Sequence, residues 1–113
     1  MLTEIPLGVL SNRDLTPQAI IRKPVSFFRL NGIRFVDSTD DLDTFESAEL
    51  LLNDSCPFAL RHYRGEPSDT TTLYLVRRSQ SIEEITTTIR HILEALQLSA
   101  DSLSWERKQD PDY

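Results

Sequence analysis

The sequence predicts an α+β fold, a two-layer sandwich in which about five mainly antiparallel strands carry two helices on one face. Three observations predict this class. Asn31-Gly32 stands between two runs rich in β-branched and aromatic residues, which is the strongest local signal for a hairpin. A polar loop at 65–70 separates two further runs of this kind. Apolar residues recur at helical spacing over 82–97.

Residues 1–24 are interpreted as an N-terminal extension that either packs on the domain or stands apart from it. A proline and a glycine interrupt its early apolar alternation, which weakens any strand there. Thr16 and Pro17 match an N-cap and a first helical residue, so a short helical turn is predicted over 17–22.

A single domain is predicted over 25–108, and it begins with a hairpin of strands 25–30 and 33–37. A helix over 41–53 follows, because acidic residues fill its first turn and apolar residues recur at helical spacing. The apolar positions are Leu42, Phe45, Ala48, Leu51 and Leu52.

The second half of the domain contains the clearest signals. Strands over 58–64 and 71–77 form a long-looped hairpin. Ser81 and Glu84 then have the spacing of a capping box, in which each side chain bonds the backbone of the other residue. This signature predicts the start of the helix over 82–97.

A last strand is predicted over 103–107, followed by a frayed tail at 109–113. The elements then have the order ββαββαβ, and from residue 33 onward this is the order of a ferredoxin-like split βαβ fold. The additional strand over 25–30 competes for one side of the central first strand of that fold. The strand order therefore stays open at this point.

The composition describes a small acidic domain. The 113 residues carry a formal net charge of -6, and 39% of them are hydrophobic, which is enough for one core. An acidic chain is repelled by nucleic-acid phosphates and by anionic lipid. A nucleic-acid partner is therefore disfavoured, and no membrane contact is predicted.

The cytoplasm is the predicted location. Cys56 is the single cysteine, so no internal disulfide can form, and a lone thiol suits a reducing compartment. The first residues lack the basic and apolar regions of a secretory signal. The longest apolar runs are far shorter than the ~20 residues that cross a bilayer.

The hairpin around the 65–70 loop contains the candidate binding residues. Alternation directs Leu60 toward the helices and places Arg61, Tyr63 and Tyr74 on the other face. Pairing across the loop predicts Tyr74 opposite Arg61, close enough for a cation–π contact. This face is predicted to be exposed for a partner, unless the N-terminal extension or a second copy covers it.

The other reactive side chains show no catalytic pattern. The chain has no glycine-rich phosphate loop, nucleophile elbow or zinc-protease motif. Cys56, His62 and His91 lack the spacing of metal ligands. No catalytic residue, metal or cofactor is therefore predicted, and an enzyme is the less favoured class.

Three functional hypotheses follow. The leading one is a small non-catalytic protein-binding or regulatory module that acts through the exposed sheet face. The first alternative is a small-anion-binding or enzymatic domain that uses His62 and neighbouring arginines such as Arg64 and Arg78. The second is a structural subunit that self-associates as a homodimer. The binding residues predicted across these hypotheses are Arg61, Tyr63, Tyr74, Arg64 and His62.

Overall fold

Seven β-strands form one antiparallel sheet in the computed structural model of the chain, which describes residues 2–6, 15–39, 43–53, 55–76 and 81–107. The strands are β1 (Leu2–Glu4), β2 (Leu15–Ile21), β3 (Val36–Thr39), β4 (Thr44–Leu52), β5 (Cys56–Tyr63), β6 (Thr71–Val76) and β7 (Leu103–Glu106). The helices are α1 (Val25–Leu30) and α2 (Ile82–Ala95), and a 3₁₀ turn spans Ala100–Ser102.

The strands follow the order β1–β4–β5–β6–β2–β7, and each pair is antiparallel. Two short strands share the outer edge of β4: β3 pairs with 44–47 and β1 pairs with 50–52. Beyond the end of β1, the Ile5 N–H donates to the Glu49 carbonyl at 2.9 Å. The sheet edge therefore has a gap where β1 and β3 approach each other.

One face of the sheet packs against both helices and forms the hydrophobic core. Alternation along the strands directs Leu50, Leu60 and Leu73 toward this core, where each is at most 2% exposed. Ile89 and Ile92 of α2 are fully buried in the same cluster. The apolar side of the amphipathic helix α2 therefore packs on the sheet and covers the core.

The helix predicted over 82–97 is confirmed as α2. The Glu84 N–H donates to Ser81 Oγ at 3.2 Å, and the Ser81 N–H donates to Glu84 Oε1 at 3.2 Å. These two bonds form the predicted capping box, which satisfies two backbone donors that the first helical turn leaves unpaired. The predicted hairpin is confirmed as β5 and β6.

The strand predicted over 25–30 is wrong, because these residues form α1. Asn31 and Gly32 end this helix instead of turning a hairpin. Gly32 has a φ of 91° and donates its N–H to a carbonyl of the last turn, while the Ile33 N–H donates to the Phe28 carbonyl at 3.0 Å. This pair of bonds is a Schellman motif, in which glycine adopts the positive φ without steric strain.

The helix predicted over 41–53 is also wrong, because these residues contain β4. Its apolar residues do not share one side: Phe45 and Leu51 lie on one face of the sheet, and Ala48 and Leu52 lie on the other. Neighbouring strands pair with β4 on both edges. This pairing outweighs the helical propensity of its glutamate, alanine and leucine residues.

The helical turn predicted over 17–22 is wrong, because residues 17–21 belong to β2, which runs between β6 and β7. Pro17 is accommodated because the pairing with β6 shifts between Pro17 and Ala19, and such a bulge does not require the proline to donate a ladder hydrogen bond. Part of the segment interpreted as an extension, residues 2–4 and 15–21, therefore consists of strands of the main sheet.

These differences exclude the predicted two-helix, ferredoxin-like arrangement. The described residues form a seven-stranded antiparallel sheet with one main helix, in place of about five strands and two long helices on one face. The broader α+β class fits this arrangement. In the described part of the chain, neither helix has the length and apolar character needed to cross a bilayer. Arg78 and the predicted tail at 109–113 lie outside the described residues.

Candidate functional site

The main candidate site is the face of the sheet that points away from α1 and α2, called the outer face below. Its positions follow from strand alternation: Tyr74, for example, lies between Leu73 and Leu75, which are both buried in the core. The outer face is defined by Ile20 of β2, Phe45 of β4, Arg61 and Tyr63 of β5, Tyr74 of β6 and Trp105 of β7. Arg61, Tyr63 and Tyr74 thus lie together on one face.

Arg61 lies at the centre of the outer face. Its guanidinium carbon is 4.8 Å from the Phe45 ring centroid and 5.3 Å from the Tyr74 ring centroid, so it contacts aromatic rings of both neighbouring strands. Its Nε donates to Ser47 Oγ at 3.4 Å, and its Nη1 donates to Tyr63 Oη at 3.5 Å. Together these contacts favour one orientation of a long, flexible side chain.

An aromatic pair extends this cluster toward β4. The rings of Phe45 and Tyr63 stack, with centroids 4.6 Å apart and planes 28° apart. Phe45 is buried, whereas Tyr63 and Arg61 are half-buried. Phe45 therefore packs beside Tyr63 and Arg61 from the neighbouring strand, and part of each of these two side chains stays accessible.

A shallow hollow of about 380 Å³ lies at the other end of the outer face. Its lining residues are Pro17, Ile20, Glu66, Thr72, Tyr74 and Trp105. Trp105 is 41% exposed, and the Arg107 guanidinium carbon is 5.9 Å from its ring centroid. A partly exposed indole beside a tyrosine offers a large apolar contact area together with polar atoms at its rim.

The structure corrects the predicted pairing of Arg61 with Tyr74. Arg61 lies opposite Thr72, and Tyr74 lies opposite Ala59. A shift of two residues keeps each side chain on its face, because side chains alternate with a period of two. The Arg61–Tyr74 contact is therefore diagonal, within the reach that long and aromatic side chains have across a strand pair.

His62 and Arg64 do not belong to the outer face. His62 lies on the opposite face of β5, across from Glu46, and its Nδ1 is 2.9 Å from the Thr70 carbonyl oxygen. His62 and Arg64 line a hollow of about 310 Å³, but Asp37 and Glu46 line it as well. Carboxylates beside the two basic groups oppose the binding of an anion there.

Three members of the outer face were not singled out by sequence analysis. Phe45 was assigned to a helix, so its position beside Tyr63 was not foreseen. Trp105 lies beside Ile20 only because β7 pairs with β2, which is distant in the chain. The one local signal for Trp105 is its place between two polar residues in a predicted strand, which is typical of a half-exposed position.

A second candidate site lies at the gap between β1 and β3. A cavity of about 320 Å³ occupies this gap, with residues of β4 forming one wall. Glu49 lines the cavity and is only 6% exposed, and its Oε2 is buried without a hydrogen-bond partner among the described residues. Glu49 was not predicted as a site residue, because the sequence pattern favours a helix over 41–53.

Other reactive groups form no site in the described ranges. Cys56 is half-buried at the start of β5 and, as the single cysteine of the chain, forms no internal disulfide. Among the described residues, no group of three or more histidine, cysteine, aspartate or glutamate side chains is arranged to hold a metal ion. Comparison with family models, curated proteins and solved structures finds no match to this chain.

Proposed function

We infer that the protein is a small non-catalytic module that binds another protein, or a second copy of itself, through the outer face. The observation that supports this inference is the row of aromatic and arginine side chains that crosses the sheet from Phe45 through Arg61 and Tyr74 to Trp105. Tryptophan, tyrosine and arginine are the residue types that most often dominate the binding energy of protein interfaces.

Arg61 is suited to anchor a partner because its orientation is already set. Its contacts with two rings and its bonds to Ser47 and Tyr63 restrict the side chain before any partner arrives, which lowers the entropy lost on binding. Those hydrogen bonds use Nε and Nη1. Nη2 is then the donor for a carbonyl or carboxylate of the partner.

The hollow beside Trp105 complements this polar anchor. A partner side chain of apolar character would bury the exposed part of the indole and displace water from Ile20 and Tyr74. An apolar contact next to a charged hydrogen bond is the usual arrangement at the centre and rim of a specific interface. The outer face therefore offers an apolar hollow and a charged hydrogen-bond donor on one sheet surface.

The net charge supports a protein as the partner, and the cysteine content supports the proposed location. The formal net charge of -6 opposes a nucleic-acid partner and favours a protein. A cytoplasmic location is proposed because the chain has only one cysteine, Cys56, which suits a reducing compartment.

Two substitutions on the outer face test this function. Arg61→Gln removes the charged anchor, and Trp105→Ala removes the exposed indole. Sedimentation equilibrium over a wide concentration range detects self-association. Affinity capture from native extract, followed by titration with the purified captured protein, detects another partner. Each variant is expected to weaken binding by about ten-fold or more, as for interface anchors.

Leu30→Ala is the matched control, because Leu30 is 88% exposed at the end of α1 and lies outside the outer face. It should bind like the wild type. The double change Tyr63→Ala with Tyr74→Ala should leave folding largely intact and abolish binding. A wild type that stays monomeric, with no captured protein whose binding depends on Arg61 or Trp105, would contradict the proposed function.

A further inference from the structure

The gap between β1 and β3 has the features of a small binding site that is separate from the outer-face hollow. The two strands meet the same edge of β4 from opposite ends and leave a cavity of about 320 Å³ between them. Residues of both strands and of β4 form most of its lining, and sheet hydrogen bonds hold this part of the wall. A site on paired strands is positioned more rigidly than one on loops.

Glu49 gives this cavity its chemical character. The residue is 94% buried, as its exposure is 6%, and its Oε2 has no hydrogen-bond partner among the described residues. Burying a carboxylate oxygen without a partner is unfavourable, and such atoms in native proteins require a compensating group. A bound cation would supply that compensation.

The charged groups that line the cavity, Glu49 included, sum to one negative charge. Glu4 and Arg34 line it together with Glu49, so two acids face one base. The Glu4 Oε1 already accepts the Arg34 backbone N–H at 3.0 Å. The ion pairs observed between described residues involve neither Glu49 nor Arg34. Arg34, the base that lines the cavity, therefore forms no ion pair with the buried carboxylate.

We propose that this cavity binds a positively charged nitrogen group, an ammonium or a guanidinium, through the Glu49 carboxylate. A charge-assisted hydrogen bond to Oε2 would satisfy the unpartnered oxygen, and the adjacent Glu4 would add to the attraction. The volume suits a small organic cation or the tip of a lysine or arginine side chain. The described residues offer no three-ligand cluster for a metal ion, which favours an organic cation.

Methylguanidinium and methylurea are the first pair of probes. They have nearly the same shape, but only the first carries a charge. In ¹H–¹⁵N correlation spectra of the full chain, methylguanidinium is expected to shift the amides of residues 4, 5, 34–36 and 47–49 in a saturable way. Methylurea is expected to leave the same amides unshifted. This comparison uses the wild-type protein, so it stands even if a variant fails to fold.

Glu49→Gln tests the role assigned to the carboxylate, because it keeps the shape of the side chain and removes its charge. It should weaken methylguanidinium binding by roughly ten-fold or more. Glu94→Gln is the matched control, since the same charge change occurs at an exposed position of α2. It should bind the probe like the wild type.

A second pair of probes identifies the source of the cation. Blocked Gly-Arg-Gly and Gly-citrulline-Gly tripeptides differ only in the charge of the central side chain. Tighter binding of the arginine peptide than of methylguanidinium indicates a peptide side chain, and weaker binding indicates a free small cation; either result supports the site.

Equal effects of methylguanidinium and methylurea would overturn the proposal, as would unchanged affinity in Glu49→Gln. Saturable shifts confined to residues outside the gap would overturn it as well. These results can be distinguished from the outer-face test through Trp105, which does not line the cavity, whereas Arg61 contacts the cavity residue Ser47.

Discussion

Replacing Ile89 with alanine is expected to lower the free energy of unfolding by about 3–4 kcal/mol. Ile89 is fully buried on the side of α2 that covers the sheet. The substitution removes three buried carbon groups at ~0.8 kcal/mol each, or about 2.4 kcal/mol of transfer free energy. A residual cavity of ~40–80 Å³ adds roughly 1–2 kcal/mol at ~24 cal/mol per Å³.

Urea unfolding, followed by far-ultraviolet circular dichroism and by Trp105 fluorescence, measures this loss. The slope of the transition should stay unchanged, because the substitution does not alter the surface exposed on unfolding. Ile82→Ala is the matched control: it makes the same chemical change in the same helix at a half-buried position in the first turn. Its expected loss is about 1 kcal/mol or less.

Equal losses at Ile82 and Ile89 would refute the reasoning, and so would a loss below ~0.5 kcal/mol at Ile89. Either result would mean that another side of α2 faces the sheet. The assignment of Ile89 to the part of α2 that packs on the sheet would then fail.

Three further predictions concern local structure. Ser81→Ala should destabilise the fold by about 1 kcal/mol, and a double-mutant cycle with Glu84→Ala that shows no coupling would contradict the capping box. Gln97 has a φ of 62° after α2, so Gln97→Gly should stabilise by roughly 0.5–1 kcal/mol, and a lowered melting temperature would count against this. Arg90 and Glu106 form two hydrogen bonds of 3.0 and 3.1 Å, and the Glu106 side chain is 8% exposed. A double-mutant cycle of their alanine replacements, measured by thermal melts, should show a coupling of about 1 kcal/mol. Additive losses of stability would contradict a stabilising ion pair.

The helix α2 could be predicted because its signals are local. The capping box joins residues three positions apart, and the apolar stripe repeats within a single element. The β5–β6 hairpin could be predicted for the same reason, since its strands adjoin one polar loop. In both cases the local preference agrees with the tertiary contacts.

The region from 25 to 53 was mispredicted because its local signals have two readings. Asn31-Gly32 suits a hairpin turn and also a helix end, since both require a positive φ at glycine. The 44–52 segment has the helix-forming residues of an amphipathic helix, but its pairing partners lie in β1, β3 and β5. Intrinsic propensities differ by well under ~1 kcal/mol per residue, so pairing and burial decide between the readings.

In the candidate sites too, features that depend on local sequence could be predicted, and features that depend on strand pairing could not. The shared face of Arg61, Tyr63 and Tyr74 could be derived from alternation, because the parity of a strand does not depend on its register. The register itself could not, since a six-residue loop allows more than one pairing. Phe45 joins this cluster only because it lies in β4, a strand whose local sequence favours a helix.

By itself, the sequence determined the acidic charge, the capped helix α2, and the alternation of side chains along β5 and β6. Each of these depends on residues that are close in the chain or on simple composition. The tertiary structure alone decided that β7 lies beside β2 and brings Trp105 to the outer face, and that β1 and β3 meet at β4 around Glu49. The physical reason is that a sheet is stabilised by pairing between distant segments, and no window of the sequence contains both partners.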